Sequence, residues 1–219
     1  MPHAVLVSDF DGTMTADDFY KLTAARLLPP DALTPWQDYR AGRITHFTAL
    51  QTIFSRIRAT EQQLLDLIVD MRPDPQLATS IAQLRAAGWE VVVASAGCDW
   101  YIDRLLAQAG ITVEIHANPC THAPDGSLNM QPPTASPFYC NATGVDKAAI
   151  VRFQQDRADT VAFAGDGFAD LEAALLANPA LRFAKADLAS ALTAKGEAFC
   201  PFATWSDVAQ QLLAKGGAS

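Results

Sequence analysis

The chain has 219 residues, half of them apolar and 18% charged, and a formal charge of -8; it can bury a sizeable core as one domain with an insertion or as two small domains. That acidity argues against a nucleic-acid partner, whose phosphates call for a basic face, and no apolar run reaches the roughly 18 residues of a membrane span. Four scattered cysteines form no CxxC pair, and the amino-terminal stretch has neither a basic flank nor an apolar run of signal-peptide length, so reduced thiols and a cytoplasmic location are expected.

In chain order, residues 4 to 9 of "AVLVSDFDGTMTADDF" form an apolar run that reads as a buried strand ended by a glycine-containing turn. A helix-like block follows from 17 to 72, interrupted at "LLPPDALTP" and without a convincing strand. Leu77, Ile81 and Leu84 then recur at helical spacing up to Gly88, before the β-branched strand "EVVVAS". The helix "DWYIDRLLAQAG" and the strand "ITVEIHANP" come next, "PDGS" marks a small hairpin, and "MQPPTASPFYCNATG" reads as a proline-bearing loop. The remainder alternates: helix "DKAAIVRFQQD", strand "TVAFAG", helix "DLEAALLAN", strand "LRFAK", then a short strand and a closing helix in "FCPFATWSDVAQQLLAK". Such alternation predicts an α/β fold, a doubly wound and mostly parallel sheet, with residues 17–72 a helical insertion after the first strand and residues 1–16 and 73–219 the core.

Ligands of such sheets bind at the carboxyl ends of strands, so polar residues there should converge. Asp9 and Asp11 follow the first strand, Ser95 the second, Lys147 opens a later helix, and Asp166 and Asp170 follow the strand "TVAFAG". Residues i and i+2 of an extended segment point the same way, so Asp9 and Asp11 can address one ligand. Their mutual repulsion would be relieved by a hard divalent cation such as Mg²⁺, with Asp166 as an additional ligand. Ser95, the N–H groups of Ala96 and Gly97, and Lys147 can hold phosphate oxygens. Each residue alone has a plainer explanation: the aspartates as turn formers, Ser95 as a helix cap, Lys147 as a solvated lysine, Asp170 as a dipole-favoured first-turn acid. Their joint order favours a shared site.

"DFDGT", the serine after an apolar strand, the lysine opening a helix and "GDGFAD" resemble motifs I to IV of the haloacid dehalogenase superfamily of phosphatases. The resemblance implies Asp9 as nucleophile, Asp11 as general acid/base, and Ser95 and Lys147 as phosphate ligands. It also implies Mg²⁺ bound by Asp9, the main-chain carbonyl of Asp11, and Asp166, with Asp170 acting through water or as a support. Thr13 is assigned to positioning the turn or a phosphate oxygen. The insertion looks like the cap of the phosphoserine-phosphatase-like branch. "DFDGTMTADD", "ASAGCDWYIDRLL", "GDGFADLEAALLA" and "RFAKADL" are similar to bacterial 2-hydroxy-3-keto-5-methylthiopentenyl-1-phosphate phosphatases of methionine salvage.

Asp18 stands where phosphoserine phosphatases carry a glutamate for the substrate amino group, and Gly12 stands where serine is usual. Arg43, Arg56 and Arg58 are candidate anion contacts or a solvated helix face; Phe19, Tyr20, Trp100 and Tyr101 are packing residues that can also shape an apolar pocket. The expected partner is a small phosphorylated metabolite, with no nucleic acid and no membrane, and the protein a monomer or homodimer. Phosphoserine hydrolysis, transfer to a second alcohol, and a receiver-like phosphate-binding signalling role are the alternatives.

Overall fold

The computed structural model describes residues 4–215; the ends of the expected core segments, 1–3 and 216–219, lie outside the described residues. Strand β1 (Ala4–Ser8) is followed by four helices, α1 (Phe19–Arg26), α2 (Thr34–Arg40), α3 (His46–Ser55) and α4 (Glu61–Val69). Helix α5 (Leu77–Ala86) leads to β2 (Trp89–Cys98), α6 (Asp99–Gln108) and β3 (Glu114–Asn118). Two small hairpins come next, β4 (Cys120–His122) with β5 (Leu128–Met130) and β6 (Tyr139–Cys140) with β7 (Gly144–Val145). The chain closes with α7 (Lys147–Gln155), β8 (Thr160–Gly165), a 3-10 turn at Phe168–Asp170, α8 (Leu171–Leu176), β9 (Arg182–Ala184), α9 (Ala186–Ala194), β10 (Cys200–Pro201) and α10 (Trp205–Ala214).

Six strands form one parallel sheet in the order β10-β9-β8-β1-β2-β3. Strand β1 is central and wholly buried, which explains its unbroken apolar run: both faces are covered. Ala4 and Leu6 join the apolar cluster on one face, Val5 and Val7 the cluster on the other. The chain leaves β1 for β2 on one side and reaches β8 on the other, so the carboxyl end of β1 lies at a switch point of the sheet.

The block between β1 and α5 is helical as expected, with one isolated bridge, Thr15 to Pro73, at its base. Its helices start at local signals: Thr45 accepts the Thr48 N–H, and Thr60 and Gln63 form a reciprocal cap. Phe19, Phe54, Ile57, Leu64 and Ile68 from this block share a single apolar cluster with Leu6, Val91 and Val93 of the sheet. The insert and this face of the sheet therefore share one apolar core.

Three expectations need correction. Strand β2 runs on to Cys98, and its pairing with β3 shifts between Ala94 and Cys98, so Ser95 sits at an irregularity inside the strand and not after it. The proline-bearing loop contains the β6–β7 pair, turned with the help of Gly144 at φ +77°. Helix α9 was not expected because "ADLASALTA" is rich in small residues that mask its apolar stripe; only Leu188 and Leu192 are buried in it.

Candidate active site

Asp9 continues β1 by one residue, its N–H donating to the Ala164 carbonyl of β8 at 2.9 Å. The chain then turns sharply, with the N–H groups of Thr13, Met14 and Thr15 converging on the Phe10 carbonyl. Gly12 has φ +71°, and a Cβ there would lie 2.5 Å from Asp166 Oδ2. Glycine in place of the usual serine thus has a local reason: left-handed backbone and a close approach by Asp166.

Lys147, the first residue of α7, extends its Nζ between two carboxylates, 2.6 Å from Asp9 Oδ1 and 2.5 Å from Asp170 Oδ1. Helix α7 is fixed there because Asp146 caps it, accepting the Ala149 N–H. The other oxygen of Asp170 accepts the N–H groups of Asp166 and Gly167, at 3.1 and 2.9 Å. The Thr13 hydroxyl bridges Asp166 Oδ1 at 3.1 Å and Asp9 Oδ2 at 3.4 Å. Oxygens of Asp9, Asp166 and Asp170 all lie within 4.8 Å of one another.

One lysine thus faces three clustered carboxylates. Burial, then Asp170, pushes the Asp9 carboxyl up to about 6; burial, then Asp9 and Asp170, pushes Asp166 up to about 9. Burial lowers the Lys147 ammonium, but Asp170 and Asp9 override it and hold it above its ordinary range. The surplus negative charge and the all-oxygen donor set fit a hard divalent cation. Asp170 accepts three hydrogen bonds on its two oxygens, Asp9 two and Asp166 one, so Asp9 and Asp166 are the side chains with more ligand capacity to spare.

Asp11 lies in the turn beyond β1, and its partners differ from those of Asp9. Its Oδ1 accepts the Phe19 N–H at 3.0 Å and its Oδ2 accepts the Tyr101 hydroxyl at 2.5 Å. Both aspartates line one cavity, although the extended-strand argument does not apply once β1 has ended at Ser8. Burial, then Asp18, raises the Asp11 carboxyl to about 7.

Within the last part of β2, Ser95 is buried and its Oγ accepts the Gly97 N–H at 3.0 Å. The Gly97 N–H therefore serves this local turn. Asn118, at the end of β3, was missed by sequence reasoning; its Nδ2 donates to the Ala96 carbonyl at 2.8 Å and the Thr143 carbonyl at 3.0 Å. It ties the end of β2 to the segment that leads to Lys147, and a lone asparagine in "HANP" carries no signal of this.

The cavity, about 260 Å³, is lined on the sheet side by Asp9, Asp11, Ser95, Ala96, Gly97, Lys147, Asp166 and Asp170. The insert supplies the opposite wall, where Tyr20 stacks on Trp36 at 4.1 Å and His46 meets Trp36 and Tyr39 at 5.2 and 5.1 Å. Arg40 reaches from α2 across the mouth, 5.1 Å over the Phe168 ring and 3.6 Å from Asp187. Asp18 also lines the cavity, ion-paired with Lys21. Arg43, Arg56 and Arg58 pair instead with Asp38, Asp31 and Asp125 away from the cavity, the solvated-face alternative. Nothing in the sequence distinguished Arg40 from them.

Residues 6–175 match the model of the haloacid dehalogenase-like hydrolases, and the chain belongs to that family. Among curated proteins it is similar to a 2-hydroxy-3-keto-5-methylthiopentenyl-1-phosphate phosphatase from Brevibacillus brevis, 25% identical over 95% of this chain and 96% of the relative. A protein of the same name from Exiguobacterium sibiricum is 23% identical over 94% and 95%. Among solved structures, a substrate-bound phosphoserine phosphatase shares the fold with TM-score 0.69 at 14% identity, covering 98% of this chain and 99% of the other. A probable phosphoserine phosphatase from Vibrio cholerae gives TM-score 0.68 at 21% identity, over 97% and 66%.

Proposed function

We propose that this hydrolase is a Mg²⁺-dependent phosphomonoesterase that works through an aspartyl-phosphate intermediate on Asp9. The observation that carries the reading is the Lys147 ammonium set between Asp9 and Asp170 at the mouth of β1, beside a cavity. Asp9, the main-chain carbonyl of Asp11 and Asp166 would hold the cation, with Asp170 behind them. When bound, Mg²⁺ supplies positive charge to the transferring phosphoryl oxygens.

Asp9 attacks phosphorus, and the bond to the ester oxygen breaks with its electron pair leaving on that oxygen, which takes the Asp11 proton. Water then attacks the phosphorus of the aspartyl phosphate, giving a proton to Asp11, and the bonding pair returns to Asp9. Lys147 steadies the Asp9 carboxylate and the phosphoryl group, and Ser95 accompanies it at the phosphate end. Thr13 holds Asp9 and Asp166 in register. Residues 17–72 act as a cap on the core, closing over the bound ester to exclude water.

The proposed substrate is a small phosphorylated metabolite, 2-hydroxy-3-keto-5-methylthiopentenyl-1-phosphate of methionine salvage. Relatives of full length bear that name, and on the cap wall Tyr20, Trp36, Tyr39, Leu50 and Phe54 suit an uncharged thioether chain, while the charged groups there are already paired, Asp18 with Lys21 and Arg40 with Asp187. The test is phosphate release from this ester, phosphoserine and other small phosphates, with and without Mg²⁺, beside Asp9→Asn. Release that needs both Mg²⁺ and Asp9 supports the reaction, and the preferred ester decides the substrate. Retention of phosphate without turnover would favour a binding role.

A further inference from the structure

Asp11 is gripped by donors from two different parts of the chain. The Phe19 N–H, at the start of α1 in the insert, serves Oδ1, and the Tyr101 hydroxyl, on α6 behind the sheet, serves Oδ2. The two donors are fixed to each other, because the Phe19 and Tyr101 rings stack with centroids 4.3 Å apart and planes 21° from parallel. Tyr101 is buried, and burial keeps its phenol neutral by raising it well above its ordinary range. Space for the hydroxyl exists only because residue 97 has no side chain: a Cβ there would lie 1.8 Å from Tyr101 Oη and 3.0 Å from Asp11 Oδ2. Gly97 therefore serves Asp11 through Tyr101.

We propose that Tyr101 is a positioning residue for proton transfer by Asp11, an inference that rests on the phosphatase reading above. In the first step the phosphorus–oxygen bond to the leaving group breaks, and the leaving oxygen takes both its electron pair and the Asp11 proton. The carboxylate left behind meets two donors already aimed at its oxygens, so little reorganisation accompanies the new charge. In the second step the same carboxylate takes the proton of the attacking water. A leaving group that departs as a stable anion needs no proton, so the effect of Tyr101 rises with leaving-group basicity.

The test compares wild type and Tyr101→Phe, with Mg²⁺, on the preferred alkyl or enol ester and on 2,4-dinitrophenyl phosphate. Phenylalanine retains the stack on Phe19, and a urea unfolding midpoint checks the fold. The expected result is a kcat/KM, which reports only the steps up to leaving-group departure, lower by about tenfold or more on the basic leaving group and within about twofold on the dinitrophenyl ester, as a fraction of the 10²–10⁴-fold typical of general acid catalysis. Equal losses on both esters would assign Tyr101 to packing alone, and no loss on either would make its hydroxyl idle; both overturn the proposal. If Tyr101→Phe fails to fold, Tyr101→Met, which also removes the hydroxyl, must show the same split, and an even loss there overturns it. A wild type inert on both esters refutes the phosphatase reading itself, a separate result.

Discussion

The Nζ of Lys147 stands 2.6 Å from Oδ1 of Asp9, across 138 residues of sequence. Both side chains are buried, at 5% and 9% exposure, so the pair is held where water screens it little. Replacing Lys147 by Met would leave Asp9 and Asp170 buried without their cation. The expected cost is about 3–5 kcal/mol of stability at pH 7, measured by urea unfolding of the metal-free protein, together with a loss of turnover on the order of 10²-fold. The stability cost should shrink towards pH 5 as the Asp9 carboxyl, already pushed up to about 6, takes up a proton; a cost independent of pH would show that Asp9 is not the group left stranded.

Asp166 makes the metal-free fold pH-sensitive in a definite direction. Its folded value, about 9, is above its unfolded one, so the stability it contributes is complete below about pH 4 and is lost as pH rises through 9. Asp166→Asn should therefore melt higher than wild type at pH 8 without metal, by about 2–4 °C for each kcal/mol relieved. Mg²⁺ should reverse the order, stabilising wild type more at pH 8.5 than at pH 6, since binding displaces the proton. A wild-type response to Mg²⁺ that is flat with pH, or retained in Asp166→Asn, would remove Asp166 from the cation site.

His46 should act oppositely. Burial, then the Lys147 charge, lowers its imidazole to about 4, and its Nδ1 is enclosed without a hydrogen-bond partner. A folded value below the unfolded one means that the unfolded chain binds the extra proton, so stability is lost as pH falls from about 6.5 towards 4. Compared with His46→Gln, wild type should lose on the order of 2–3 kcal/mol across that interval; parallel unfolding profiles would mean that the ring is free to ionise in place.

Gly12→Ala should cost roughly 1–2 kcal/mol from its left-handed backbone alone, and its Cβ would strike Asp166 Oδ2. A calorimetric Mg²⁺ titration should show weakened binding along with a lower melting temperature. Lowered stability with unchanged Mg²⁺ affinity would confine the role of Gly12 to the turn.

The chain itself determined the layers of the fold and the seats of the charged residues. Alternating helical and β-branched segments specify a parallel sheet because each strand must be covered on both faces, and the run "AVLV" shows this directly in β1. The placement of Asp9, Asp11, Lys147, Asp166 and Asp170 around one cavity was legible because strand ends and helix starts are local features, and an open parallel sheet brings its strand ends together; Ser95 reaches the same cavity from inside β2. Helix α9 escaped because its small residues give a weak periodic signal, and the extension of β2 because register shifts depend on the neighbouring strand.

Tertiary structure alone decided which donors hold which carboxyl oxygens. Tyr101 reads as a packing aromatic until α6 brings its hydroxyl to Asp11, and Gly97 reads as a phosphate-loop glycine until that hydroxyl is seen to fill the space beside it. Arg40 and Arg43 lie in one polar stretch, yet the first crosses to Phe168 and Asp187 while the second turns back to Asp38. Local sequence fixes chemistry and periodicity, which depend on near neighbours; hydrogen-bond partners and burial depend on which distant segments pack together, and they set the charge states at the carboxyl end of β1.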